Sequence, residues 1–174
     1  LQVWGSIAIF LICPLIGGLP LIAWITSALT RRNLANLGTG NISVSAAFYH
    51  GGKLAGILAV LSEALKGIAA VTIARFFFPQ APEWELIALI ALVMGRYWIA
   101  KGAGTTNVVW GFIVHDPVVA GLVFLIGGIS FTILRERQLG KYGILILFPL
   151  LTALLRPHDS ARIVAAIALA VLLG

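Results

Sequence analysis

Charge is what this chain has least of. Only 10% of its residues are Asp, Glu, Lys or Arg, against 60% hydrophobic, and its mean hydropathy is +1.05. A soluble globule of 174 residues cannot coat its surface with so little polar material. A soluble domain is therefore excluded, and lipid is the solvent the composition calls for. Cysteine is scarcer still: Cys13 stands alone, which excludes a disulfide framework within the chain. No basic stretch precedes the first apolar run, and that run is longer than a secretory h-region, so it is expected not to be a secretory signal peptide. Internal repeats and low-complexity linkers are also missing.

What is present is a series of apolar segments. The stretches 1–29 and 117–134 carry no charge, and each approaches or exceeds the roughly 20 residues that cross a hydrocarbon core as helix. The first segment runs from about Val3 to Leu29 and holds Pro14, Gly17, Gly18 and Pro20, which predicts a kinked helix. The others are expected at about Lys53–Phe78, Glu83–Tyr97 with Pro82 in its first turn, Thr105–Val114, Val118–Leu134, Ile144–Leu155 and Ile163–Gly174. These imply an all-α fold: a polytopic membrane helix bundle of about seven segments with glycine-rich cytoplasmic loops, forming one domain over residues 1–174. The last segment is still apolar at Gly174, so the domain is expected to continue or to be fused to further sequence.

Base outnumbers acid, with 12 Lys and Arg against 6 Asp and Glu, a formal net charge of +6. If each segment crosses once, Arg31, Arg32, Arg96, Lys101, Arg135, Arg137 and Lys141 fall on one side, which the positive-inside rule makes the cytoplasm. Glu83, Glu85 and Asp116 fall on the other, together with Arg75, Arg156 and Arg162. The excess is read as topological bias, with no nucleic-acid partner.

Two loops on the basic side are rich in glycine and in small hydroxyl or amide side chains. One runs from Arg31 and Arg32 through Gly38-Thr39-Gly40-Asn41 to Ser45; the other is Lys101-Gly102-Ala103-Gly104-Thr105-Thr106-Asn107. Glycines free backbone N–H groups to converge on an anion, and hydroxyls, amides and a cation complete a phosphate site. A helix beginning at Thr105 would add its dipole. Neither loop has the spacing of a Walker A sequence. Read plainly, both are also helix-to-helix turns with N-caps at Thr39 or Asn41 and at Thr105.

The order of these residues resembles the acyl-phosphate:glycerol-3-phosphate acyltransferase family of bacterial integral-membrane enzymes. Gly18-Leu19-Pro20 is similar to that family's Gly-Ser-Ile-Pro, and Gly38-Thr39-Gly40-Asn41-Ile42 to the start of its Gly-Ser-Gly-Asn-Ile-Gly-Ala-Thr-Asn motif. Gly52-Lys53-Leu54-Ala55-Gly56 and Glu63-Ala64-Leu65-Lys66-Gly67 resemble its Gly-Lys-x-Ala-Gly and Asp-x-x-Lys-Gly. Gly95-Arg96 and Lys101-Gly102-Ala103-Gly104 resemble a shortened second motif. The chain departs from the pattern at Ser43-Val44-Ser45-Ala46, at Arg96, where the family has histidine, and in the lack of a second lysine after Lys101. His158-Asp159-Ser160-Ala161-Arg162 looks superficially like the family's third motif but precedes the last segment, on the wrong side.

The resemblance implies acyl transfer from acyl-phosphate to the 1-hydroxyl of glycerol 3-phosphate, giving lysophosphatidic acid at the plasma (inner) membrane. It calls for no cofactor or metal and no covalent acyl-enzyme, because the donor is already an activated anhydride. Arg31, Arg32 and Lys101 would be the charged clamps, and Thr39, Asn41, Thr105 and the backbone at Gly38, Gly40, Gly102 and Gly104 would bind phosphate oxygens. No general base is assigned; His50 is a candidate, although a lone histidine at a helix start is more often a structural hydrogen-bonder. Glu63 and Lys66, at i and i+3 inside the bilayer, are expected to pair, either to fix packing or to serve substrate. Trp24, Trp84, Trp98 and Trp110 read as interfacial anchors, and Gly127-Gly128 as a close helix approach. Membrane lipid is a partner in every reading. The alternatives are a degenerate relative acting as membrane anchor or lipid-binding module for a fused C-terminal domain, and a transporter or channel for a small anion.

Overall fold

A computed structural model describes residues 2–100, 102, 105–134 and 137–174, and eight α-helices lie among these described residues. They are α1 (Gln2–Gly18), α2 (Leu21–Thr30), α3 (Val44–Phe77), α4 (Glu83–Trp98), α5 (Thr106–His115), α6 (Pro117–Leu134), α7 (Arg137–Leu155) and α8 (Ser160–Leu173). The stretch Gln2–Thr30 and helix α3 are each long and apolar enough to cross a bilayer. Large apolar side chains cover the outside: Trp4, Phe10, Leu65, Phe76, Ile146, Val164 and Val171 are all exposed. Glu63, Lys66 and Arg96, by contrast, are at most 3% exposed. That inside-out distribution is the one lipid selects.

The expected segments are present, with two boundaries moved. The first segment breaks into α1 and α2 at Leu19-Pro20, as its prolines and glycines predict. Helix α3 begins at Val44, not near Lys53, and carries a non-helical Gly52 (φ 85°). The piece before Gly52 folds back so that Phe48 packs on Gly56; a Cβ there would overlap the Phe48 ring. Helix α7 begins at Arg137, before the apolar run at Ile144, because the polar turn ahead of that run is helical too.

Backbones meet closely at two crossings. A Cβ on Gly95 of α4 would fall 1.9 Å from the Pro14 carbonyl oxygen of α1. One on Gly67 of α3 would fall 1.9 Å from the Asn107 carbonyl oxygen of α5. Small residues at crossings let helices in lipid gain packing contacts that the solvent does not supply. The second crossing also shows that α5, only 10 residues long, starts beside the middle of α3. Of the Gly127-Gly128 pair, Gly127 faces Ile144 closely, whereas Gly128 has open space around it.

The two ends of the bundle differ. At one end Arg75 donates two hydrogen bonds to Glu85, at 2.8 and 2.9 Å, and a third to the Val114 carbonyl. His115 Nδ1 lies 2.9 Å from Glu85 Oε2, and Arg156 reaches Asp116 at 3.1 Å. These contacts tie α3, α4, α5 and α7 together. The other end carries the glycine loops.

Candidate functional site

The first loop is pinned from below. Leu34, in a 3₁₀ turn over Leu34–Asn36, is buried against Ile22, Ala47 and Ala59. Asn33 accepts a hydrogen bond from the Ala35 N–H at 3.0 Å. Beyond this anchor Gly38 and Gly40 have φ of 56° and 71°, a left-handed backbone that glycine adopts without a Cβ penalty. A Cβ on Gly38 would lie 3.2 Å from His50 Nε2, so the His50 ring sits on the loop. Arg32 donates to the His50 carbonyl at 3.3 Å. The cap of α3 is Ser43, whose hydroxyl accepts from the Ala46 N–H at 3.2 Å. That corrects the N-cap expected at Thr39 or Asn41: both are exposed and free of the helix, because the loop continues to Ser43 before the chain turns helical.

Beneath the loops lies a buried charge cluster. Lys66 Nζ stands 2.8 Å from Glu63 Oε1 and donates to the Leu19 carbonyl at 2.6 Å, at the break between α1 and α2. Arg96 of α4 stands 3.0 Å from Glu63 Oε2, and its Nη2 donates to the Ile42 carbonyl at the close of the first loop, at 3.2 Å. The sequence reading paired Glu63 with Lys66 and treated Arg96 as a topological charge. In the structure Arg96 is buried and joins the cluster. The clue available in the sequence was the carboxylate itself, whose second oxygen, buried in low dielectric, requires a second partner.

Arg96 also fixes the second loop. The Gly102 N–H donates to the Arg96 carbonyl at 3.3 Å. A Cβ on Gly102 would lie 3.1 Å from Arg96 Nη2 and 3.2 Å from the Ile42 oxygen. The two glycine loops thus meet across one guanidinium. Lys101, Ala103 and Gly104 lie outside the described residues. Thr105 is at the N-cap position of α5 and is exposed, with no side-chain cap bond. Asn107, fully buried, accepts from the Val108 N–H at 2.8 Å while its Nδ2 has no partner. Arg31 and Arg32 are exposed at the loop's start, Arg31 with a left-handed φ of 54° that ends α2.

Two cavities open here. One, of about 700 Å³, is lined by Arg96, Tyr97, Gly102, Thr105 and Lys141. The other, of about 500 Å³, is an apolar groove between α5, α6, α7 and α8 that runs from Thr105 and Lys141 down to Phe112 and Phe148. Thr105 and Lys141 line both, so the chamber beside Arg96 and the apolar groove share a mouth.

A model of the glycerol-3-phosphate acyltransferase family matches residues 7–174. The chain belongs to this family. It is 27% identical over 150 residues to the glycerol-3-phosphate acyltransferase of Syntrophomonas wolfei, covering 83% of this chain and 76% of that one. Against the Streptococcus pneumoniae serotype 4 enzyme of the same name it is 26% identical over 180 residues, covering 97% of this chain and 84% of that one. Its fold is that of a crystal structure of an integral membrane glycerol 3-phosphate acyltransferase in its glycerol 3-phosphate form. The TM-score there is 0.80 at 21% identity, over 97% of this chain and 86% of the other. The chain is accordingly a membrane protein of this acyltransferase family.

The remaining motif-like stretch, His158-Asp159-Ser160-Ala161-Arg162, is at the opposite end of the bundle. There Asp159 caps α8 by accepting from the Arg162 N–H at 3.0 Å.

Proposed function

We propose that the chain transfers an acyl group from acyl-phosphate to the 1-hydroxyl of glycerol 3-phosphate, forming lysophosphatidic acid and releasing phosphate. The observation that carries this reading is the shared mouth: a chamber lined by Arg96 and Gly102 opens, at Thr105 and Lys141, into an apolar groove. An acyl-phosphate has those two halves, a dianionic head and an apolar tail. The chain's own residues then divide the work. The backbone at Gly38, Gly40, Gly102 and Gly104, the side chains of Thr39, Asn41 and Thr105, and the cations Arg31, Arg32 and Lys101 hold phosphate oxygens. Charge-assisted bonds from the cations carry most of the binding.

Glu63, Lys66 and Arg96 act as a set. Glu63 neutralises two buried cations and directs Arg96 to Ile42, so the loops are held before substrate arrives. Such preorganisation leaves less to reorganise as negative charge develops on the transferring carbonyl oxygen. Proximity of two bound anions, neutralised by fixed cations, is the larger contribution, since the anhydride is already activated. His50, with its ring against Gly38, is the group beside the first loop able to accept the hydroxyl proton. The bundle sits in the plasma (inner) membrane with both loops cytoplasmic, where acyl-phosphate and glycerol 3-phosphate are to be met. Residues 1–174 act as one membrane domain.

The test is direct. Purified protein in lipid-containing micelles is given acyl-phosphate and radiolabelled glycerol 3-phosphate, and labelled lysophosphatidic acid is measured. Stoichiometric product and phosphate are expected. A monodisperse, folded sample that yields no lysophosphatidic acid with donors of any chain length overturns the reading.

A further inference from the structure

We infer that Phe112 and Phe148 set the length of acyl chain the protein prefers. The inference rests on the acyltransferase reading above and adds the specificity determinant to it. The groove is polar only at its mouth; below that it is lined by Val108, Val109, Val123, Leu145 and Leu169. At its deep end the rings of Phe112 (α5) and Phe148 (α7) meet edge to face, with centroids 4.2 Å apart and an interplanar angle of 66°. Both are buried. Behind Phe112 stands His115, its ring stacked at 6.4 Å and its Nδ1 on Glu85. The aromatic floor is therefore backed by the polar clamp of the far end, and an apolar chain gains nothing by pushing past it.

Depth follows from the helices. Thr105 to Phe112 on α5 and Lys141 to Phe148 on α7 each span two turns, roughly 10 Å. An extended chain advances about 1.2 Å per bond, judged from polypeptide backbone dimensions. About eight carbons thus reach from mouth to floor. Each methylene seated in that span packs against fixed side chains and strengthens transition-state binding, and methylenes beyond it return to lipid with no such gain. The expected profile of kcat/KM against donor length rises to about eight to ten carbons and then flattens.

The experiment measures kcat/KM for saturated acyl-phosphates from six to eighteen carbons, with wild type and three variants. Phe148→Ala deepens the groove and should move the break to longer chains by about two to four carbons, roughly one ring's depth, raising the ratio of sixteen-carbon to ten-carbon donors. Phe112→Leu, which keeps an apolar side chain in the core, should move it in the same direction by less. Gly128 lines the groove and has open space around it. Gly128→Leu should therefore fill the groove without a backbone clash and move the break to shorter chains. A profile with the same break in all folded variants overturns the length assignment while leaving the acyltransferase reading intact. Absence of turnover in wild type at every length overturns both.

Discussion

Arg96 and Glu63, on different helices, lie 3.0 Å apart with both side chains buried, and the same guanidinium holds the carbonyl that closes the first glycine loop. One carboxylate consequently balances two cations inside the bilayer. Glu63→Gln should leave Lys66 and Arg96 as like charges in low dielectric and lower stability by about 3–5 kcal/mol, the cost of breaking a buried pair. Thermal unfolding in detergent measures it. Adding Lys66→Met should recover part of the loss and not all of it, because Arg96 remains. Wild-type stability of Glu63→Gln would show that the cluster is not structural.

Arg96 makes two contacts that a point charge cannot make together. Arg96→Lys should keep the fold, since one cation still faces Glu63, but should release Ile42 and Gly102 from each other. The expected signature is a raised KM for glycerol 3-phosphate, by about tenfold if a charge-assisted hydrogen bond of roughly 1.5 kcal/mol is lost, with a small change in melting temperature. A larger effect on melting temperature than on KM would make Arg96 a packing residue alone.

The glycines separate into those that a side chain would break and those that have room. Gly95→Ala places a methyl on the Pro14 carbonyl and should destabilise by about 1–3 kcal/mol or more, the usual cost of overpacking. Gly128→Ala, with nothing near it, should be neutral. Melting temperatures of the two variants side by side decide the point.

How much of this was legible in the sequence depended on the kind of signal. Apolar runs bounded by Pro20, Pro79 and Pro117 marked the helices, because lipid demands continuous apolar stretches and proline interrupts them, whereas Pro14 lies inside α1. Helix α7 escaped at its start, since residues 137–143 are amphipathic and offered no hydropathy signal. The N-terminal piece of α3 escaped because Gly51-Gly52 reads as a break, whereas the chain folds back there and resumes. Glu63 with Lys66 was visible from helical spacing alone. Arg96 was not, since pairing across helices depends on how α3 and α4 pack, and no period along one segment encodes that. The apolar groove was invisible for the same reason: its lining is drawn from four helices, and each contributes residues that look lipid-facing in isolation.

The phosphate-site assignment predicts a graded series. Lys101→Ala removes a whole charge and should reduce turnover most; Thr39→Ala should reduce it less, because a neutral hydrogen bond is about half as strong as a charge-assisted one. Thr39→Ser keeps the hydroxyl and should be tolerated. Turnover unchanged in Lys101→Ala would overturn the assignment.

Topology is tested with single cysteines in a Cys13→Ala background. Asn36→Cys and Thr105→Cys, both exposed at the loop end, should be protected from an impermeant thiol reagent in intact cells. His158→Cys, exposed at the other end, should label. Labelling of Asn36→Cys or Thr105→Cys in intact cells would separate the two loops or invert the protein.

The clamp of Arg75, Glu85 and His115 closes one end of the bundle with three side chains from three helices, while at the other end the two glycine loops meet at Arg96 through the Ile42 carbonyl and Gly102. The chamber lies at the loop end, so water-soluble compounds are expected to reach it from that side. In vesicles reconstituted with the protein in both orientations, the molecules facing inward should stay silent to glycerol 3-phosphate added outside and awaken only when detergent opens the bilayer.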